Sequence, residues 1–192
     1  MKVLWTFVML VGMATMSMAG CAAPQDKPAK PVTVGTENGS PFPAALAGLW
    51  KSDRHGWEFV IEPNGRISSA VISFGRARIV PGQTAAIPTK TGEQAVFTPG
   101  PWAVHYDPAA RMLTIKVTMD HVRVPASPDL IEGSSTDILC GVVSPSMDTW
   151  QVEWTMFTNY TVTTADGKST DLSTDKTEGE TQSLVFTKTA RP

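Results

Sequence analysis

The sequence predicts an antiparallel all-β domain, and three observations lead to that prediction. Apolar and polar side chains alternate in several segments, most clearly from Met147 to Ala165. The chain has 15 glycines and 15 prolines, and most of them fall between the apolar runs, where turns are needed. No segment of the folded domain has the helical period over more than two turns. About nine or ten strands are therefore expected.

The longest alternation sets the expected architecture. Its apolar phase contains Trp150, Val152, Trp154, Met156, Thr158, Tyr160 and Val162. A strand of about 16 residues spans roughly 50 Å, which is far more than an ordinary strand. Strands of that length usually bend through a barrel or a strongly coiled sheet. We therefore predict an antiparallel up-and-down barrel, with a β-sandwich as the alternative.

The other elements follow from shorter patterns. Pro43 to Ala47 is expected to form a helical turn, and Pro63-Asn64-Gly65 a tight turn between two paired strands. At Asp120-His121 the apolar phase of one strand shifts, which predicts a β-bulge. Loops are expected at 83–92, 125–134 and 166–179. The predicted strands are 48–50, 57–61, 66–74, 76–80, 93–98, 102–106, 113–124, 137–143, 147–165 and 182–188.

The N-terminus predicts export. Lys2 precedes an uncharged, largely apolar run from Val3 to Met16, followed by small residues. Residues 1–20 therefore predict a secretory signal peptide, and the run is too short to span a membrane. The segment Met18-Ala19-Gly20-Cys21 resembles the bacterial lipobox, with Met18 where leucine is usual. That resemblance implies cleavage before Cys21, acylation of Cys21 with palmitate-like chains, and a lipid anchor in the cell envelope.

A tether and a folded domain are expected after the anchor. Residues 21–43 are rich in proline, glycine and small residues and lack periodicity, so they are predicted to remain a coil. Residues 44–190 are predicted to form the β domain. In a Gram-negative source, the likeness to sorted lipoproteins implies the outer membrane, with the domain facing the periplasm.

Three short segments resemble the lipocalin and calycin family. Gly48-Leu49-Trp50 follows a helical turn and opens the first strand, as the Gly-x-Trp signature does in that family. Thr158-Asn159-Tyr160 is similar to its Thr-Asp-Tyr motif, although here it lies inside a strand. Arg191 follows the last strand, where the family places an arginine over the tryptophan. The resemblance implies that Gly48, Trp50 and Arg191 close one end of a barrel.

Aromatic residues on the inward faces are the candidate binding residues. Such rings can fill a small core, or they can line a pocket for an apolar ligand. The sequence leaves both alternatives open. The candidate ligand-binding residues are Trp57, Phe59, Trp150, Trp154, Met156 and Tyr160.

Several function classes lack support in the sequence. A formal net charge of −2 provides no basic surface for nucleic acid. The three histidines, His55, His105 and His121, lack the close spacing of a metal site, so no metal and no cofactor are expected. Nucleotide-binding and hydrolase motifs are missing as well, so we predict that the protein is not an enzyme.

Two functions remain as hypotheses. The first is a lipid-anchored, non-catalytic envelope protein that binds a small hydrophobic ligand in a β-barrel. The second is an envelope assembly or scaffold lipoprotein that acts through surface contacts with another envelope protein. Both place the chain at a membrane through its lipid anchor.

Overall fold

A computed structural model of the chain describes residues 32–72, 77–174 and 179–189. The predicted signal peptide, Cys21 and Arg191 lie outside these residues. Two 3₁₀ turns occur, at Glu37–Gly39 and Ala44–Leu46. The strands are β1 (Thr33–Thr36), β2 (Gly48–Ser52), β3 (Glu58–Ile61), β4 (Ile67–Ile72), β5 (Ala77–Ile79), β6 (Ala85–Pro88), β7 (Gln94–Pro99), β8 (Ala103–Asp107), β9 (Met112–Ala126), β10 (Asp129–Val143), β11 (Thr149–Thr163), β12 (Ser169–Asp171) and β13 (Glu180–Thr189).

These strands form one large, mostly antiparallel sheet, which confirms the predicted all-β class. The main order is β1-β8-β9-β10-β11-β13-β2-β3-β4-β5, and β1 with β8 is a parallel pair. Strand β12 pairs with the far end of β11, and β6 pairs with β7. The long strand predicted at 147–165 is β11, and the predicted hairpin around Pro63-Asn64-Gly65 joins β3 to β4.

The sheet does not close, so the predicted up-and-down barrel is wrong. Strand β5 comes within 8 Å of β6 between Cα atoms, but the two strands do not pair. The edge of β9 is divided, because its first half pairs with β8 and its second half with β7. Because two different strands share this edge of β9, the sheet does not continue around into a closed barrel there. The open arrangement is consistent with the alternative, a β-sandwich.

Strands β9, β10 and β11 form the long meander at the centre of the sheet. Each has 15 residues. In β9, Val122 pairs with Gly133 and Met119 with Ser135, so two residues of β9 oppose one of β10. This register shift confirms the bulge predicted at Asp120-His121.

All three predicted loops are partly strand. The loop predicted at 166–179 contains the three-residue strand β12, which pairs with β11. Ala126 pairs directly with Asp129, so the loop predicted at 125–134 is only a two-residue turn. The predicted loop at 83–92 contains β6, which forms a hairpin with β7. Neither segment alternates regularly, because serine, glycine and proline interrupt the pattern, and neighbouring strands supply the pairing instead.

The domain also begins earlier than predicted. Val32 is buried, and Thr33 to Thr36 pair in parallel with Ala103 to Tyr106 of β8. The ring of Phe42 packs edge-on against Tyr106, with centroids 6.2 Å apart. The prediction of a coil up to Pro43 is therefore wrong for residues 32–43. The strand in this segment was not predicted, because the segment is rich in proline and the partner strand is distant in sequence.

The buried side chains of the described residues pack into a cluster on the inner face of the curved sheet. Its largest fully buried members are Trp50, Trp57, Trp102, Trp150, Tyr106, Phe59 and Phe186. In the described part of the chain, no helix has the length and apolar character needed to cross a membrane.

Candidate functional site

The candidate site lies on the inner face of β10 and β11, near the point where β13 stops pairing with β11. Strand β13 pairs with β11 only from Thr149 to Met156, and β12 takes over from Thr161. Polar side chains enter the interior in this region. We call this group the Asp137 site, and its members are Trp57, Ser135, Asp137, Trp154 and Tyr160.

Strand register brings these residues to one face. Asp137 of β10 lies opposite Met156 of β11, and Ser135 lies opposite Thr158. Ser135, Asp137 and Thr158 are the buried polar residues of the described chain, with exposures of 8%, 6% and 8%. Because side chains alternate between faces, all three share the inner face with Trp154.

Asp137 is a buried carboxyl group. The Trp154 indole donates a hydrogen bond from Nε1 to Asp137 Oδ1 at 2.8 Å. Burial raises the pKa of Asp137 to about 6, and the hydrogen bond from Trp154 offsets only part of that effect. No salt bridge among the described residues includes Asp137. A buried carboxylate without a cation is costly, so this group is a candidate for function.

Trp57 contributes an unused hydrogen-bond donor. Its side chain is fully buried, and its Nε1 has no hydrogen-bond partner in the described structure. The Trp57 ring meets the Trp154 ring edge to face at 5.6 Å and stacks on Phe59 at 5.6 Å. Native interiors rarely leave such a donor unpaired, so a partner from outside the chain is a natural explanation.

Tyr160 lies on the same face of β11 as Trp154 and packs against the core. Burial raises the pKa of Tyr160, with Asp137 adding to the rise and a hydrogen bond from Ser135 opposing it. The ring lies over Gly133, its partner on β10, where an added Cβ would sit 2.8 Å from Tyr160 Cδ1. Glycine at 133 therefore makes room for this ring.

The loop between β2 and β3 places a histidine beside the site. His55 has a positive φ of 61°, and its ring centroid lies 5.3 Å from that of Trp154. Asp53 fixes the loop, since its Oδ1 accepts a hydrogen bond from Val185 N at 3.0 Å. The imidazole is half-buried, whereas the sequence suggested only scattered histidines.

Four of the six predicted ligand-binding residues meet at or beside the Asp137 site: Trp57, Trp154, Met156 and Tyr160. The other two, Phe59 and Trp150, pack against Phe186, although Phe59 also stacks on Trp57. The Phe186 ring is 5.8 Å from Phe59 and 5.0 Å from Trp150, and both of these residues are fully buried. The structure therefore places Phe59 and Trp150 in the packed core.

The segment resembling the lipocalin signature packs into the core through its tryptophan. Trp50 is fully buried, and its indole donates to Leu46 O at 2.9 Å. Lys188 Nζ lies 5.8 Å from the centre of the Trp50 ring, and the Lys188 chain also covers Gly48. A cation therefore lies over the tryptophan, and it comes from the last strand. Arg191, which the resemblance assigned to that role, is not among the described residues.

The other histidines lie elsewhere. His105 Nε2 is 3.3 Å from Glu37 Oε1, and His121 is exposed on β9. Across residues 32–72, 77–174 and 179–189, no group of three potential metal ligands comes together.

A separate groove of about 260 Å³ lies at the β10–β11 turn. It contains none of the predicted ligand-binding residues. Its lining residues are Arg111, Val142, Val143, Ser144, Pro145, Thr149 and Gln151.

Sequence reasoning missed three residues of this region, namely Ser135, Asp137 and His55. A signal for two of them existed, because Ser135 and Asp137 share the inward phase of β10 with Leu139. A polar residue at an inward position is an informative exception. No local signal places His55 against Trp154, since that contact depends on the path of a loop.

Comparisons with family models, curated proteins and solved structures gave no significant match to this chain.

Proposed function

We propose that this protein binds a small hydrophobic ligand at the Asp137 site and has no catalytic role. The observation that carries the proposal is the convergence of predicted binding residues on a buried, unpaired donor. Trp57, Trp154 and Tyr160 supply aromatic surface, and Trp57 Nε1 has no partner within the described chain. Apolar walls with a few polar groups that fix orientation are typical of small-molecule sites.

The open sheet changes how the ligand would be held. A closed barrel would admit a ligand through its mouth, whereas here the ligand would lie against the inner face between β11 and the β2–β3 loop. His55 and the half-buried Met156 lie at the border of that face. Because Trp57 is fully buried and Trp154 is 4% exposed, a ligand would reach these rings only if neighbouring side chains, such as His55, moved aside.

We also propose that the protein is anchored to the bacterial envelope through acylated Cys21. The lipobox-like segment Met18-Ala19-Gly20-Cys21 and the preceding apolar run support this proposal. Several acyl chains, at ~0.8 kcal/mol per buried methylene, anchor a protein stably. Labelled palmitate should attach to the wild-type chain and not to C21S; attachment to both, or to neither, would contradict the anchor.

The binding proposal is tested by titrating tryptophan fluorescence with decanol. The protein is the chain without residues 1–20 and with C21S, which keeps every described residue. Saturable quenching is expected, and Y160A should weaken binding about tenfold, because it removes one aromatic wall. V142A is the matched control, since Val142 is exposed at 41% on the opposite face. Equal effects of the two variants would contradict this location for the site.

The second candidate is an assembly or scaffold role through surface contacts with another envelope protein. The open sheet favours it, because among the described strands β1 and β5 each have an edge without a partner, which another strand could extend. Crosslinking in the native membrane would then yield one stable partner. In that case, substitutions in the edge strand β1 would abolish the crosslink, while Y160A would leave it unchanged.

A further inference from the structure

We propose that the ligand of the Asp137 site is an amphipathic organic amine, bound as the cation by the Asp137 carboxylate and the surrounding aromatic rings. This inference rests on the proposed function and specifies the ligand class. It depends on three features of the site: a buried carboxylate with no cation beside it among the described residues, the aromatic surface around it, and an indole donor with no acceptor among those same residues.

The first feature is the charge. Asp137 is 6% exposed, and its Oδ1 receives a hydrogen bond from an uncharged donor, the Trp154 indole. With a pKa of about 6, the carboxyl group is mostly ionised at neutral pH. The salt bridges of the described residues are all elsewhere, so a ligand ammonium group would supply the missing opposite charge.

The second feature is the aromatic surface. The planes of the Trp57 and Trp154 rings meet at 75°, with centroids 5.6 Å apart, so two indoles form adjoining walls. Tyr160 adds a third ring close enough to Asp137 for the carboxylate to raise the pKa of the phenol. Aromatic faces attract organic cations, and the attraction grows when the site is dry. A neutral or anionic head group would gain neither this attraction nor the ion pair.

The third feature is the indole of Trp57, which lacks an acceptor in the described structure. An amine ligand that also carries a hydroxyl, ether or carbonyl oxygen would satisfy it. Leaving a buried donor unpaired is unfavourable, and a ligand acceptor would recover part of that cost. The three features together describe a small amine with an apolar body and one acceptor.

The test uses three ligands that share one chain and differ in head group: decylamine, decanol and decanoate. The chain without residues 1–20 and with C21S is titrated at neutral pH, with tryptophan fluorescence as the readout. We expect decylamine to bind about tenfold more tightly than decanol, and decanoate to bind most weakly. D137N should remove the preference for the amine while it retains decanol binding.

The matched control is E153Q. Glu153 lies on β11 but is exposed on the outer face, and E153Q removes the same formal charge as D137N. The amine preference should persist in E153Q. Equal affinity for amine and decanol in the wild type, or an unchanged preference in D137N, would overturn the inference while the proposed function stands. Saturable binding of none of the three ligands would overturn both. Circular dichroism of each variant confirms folding.

Discussion

At the residue scale, the proposed site and its ligand class depend mainly on Asp137. It shares its phase with Leu139 and Val143, which are fully buried, but Ile138 and Val142 make the other phase apolar as well, so the sequence alone does not fix which phase points inward. Its hydrogen bond with Trp154 could not be derived, since it depends on the register between two strands. The same limit applies to Trp57, whose missing partner is visible only when all neighbours are placed.

The first residue-scale prediction concerns D137N. Burial raises the pKa of Asp137 from 3.8 to about 6, so the folded state binds this proton more tightly than the unfolded state. The carboxyl group therefore contributes most to stability below its unfolded pKa, and that contribution is lost as the pH rises through about 6. D137N should raise the free energy of unfolding near neutral pH by up to about 3 kcal/mol.

This advantage should shrink as the pH falls towards about 4, where the wild-type carboxyl group is protonated in the folded state. Urea denaturation of both proteins at the two pH values measures the difference. Tyr160 faces the same region, and because its pKa is raised above the ordinary tyrosine value its phenol stays protonated at both pH values. A stabilisation of the same size at both pH values would contradict the buried ionised carboxylate.

The second residue-scale prediction contrasts two indoles. W57F removes ring volume from the core but no hydrogen bond of the described residues, so it should destabilise the protein less than W154F does. W154F removes the donor to Asp137 and should destabilise the protein by about 1–3 kcal/mol at neutral pH. Urea denaturation checks both variants. Equal losses in both would contradict the stabilising role of the hydrogen bond between Trp154 and Asp137.

At the element scale, strong alternation of apolar and polar residues predicted strands correctly, whereas a composition rich in proline and glycine did not predict loops correctly. Strand β11 and the bulge at Asp120-His121 follow directly from the spacing of apolar residues. Strands β1 and β6 were not predicted, because each has only four residues and because proline, glycine and threonine are common around them. Short strands are stabilised by the partners they meet, and those partners are not encoded locally.

One element-scale prediction concerns the pairing of β10 with β11. A Cβ added at Gly141 would lie 1.8 Å from Gln151 O, a backbone atom of the partner strand. G141A should therefore destabilise the protein by about 2–4 kcal/mol, because the strands must separate or shift. G35A is the control, since its Cβ would meet only the movable His105 side chain at 3.2 Å. Similar urea midpoints for the two variants would contradict the close approach.

A second element-scale prediction concerns β1. A chain that begins at Val32 keeps β1 and the contact between Phe42 and Tyr106, whereas a chain that begins at Ala44 loses both. The shorter chain should be less stable by about 2–5 kcal/mol, because buried Val32 and the Phe42 ring are removed. Thermal and urea denaturation compare the two chains. Equal stability would restore the view that residues 32–43 are only a tether.

At the scale of the whole molecule, the class of fold could be predicted but its closure could not. The number and length of the strands are set by local patterns, whereas closure depends on how β9 shares its edge between β7 and β8. The same holds for the site. Four of the six predicted aromatic and methionine residues converge there, but the polar groups that give the site its chemistry emerge only from the assembled sheet.

The most direct test of the central claim is the indole N–H region of the NMR spectrum during titration with decylamine. Trp50, Trp102 and Trp150 donate to backbone carbonyl groups at Leu46, Thr118 and Gly141, and Trp154 donates to Asp137, so each indole reports on a different place. We expect the Trp57 and Trp154 resonances to shift saturably while those of Trp50 and Trp102 stay fixed. Shifts confined to Trp50 and Trp102, or no saturable shift at all, would contradict ligand binding at the Asp137 site.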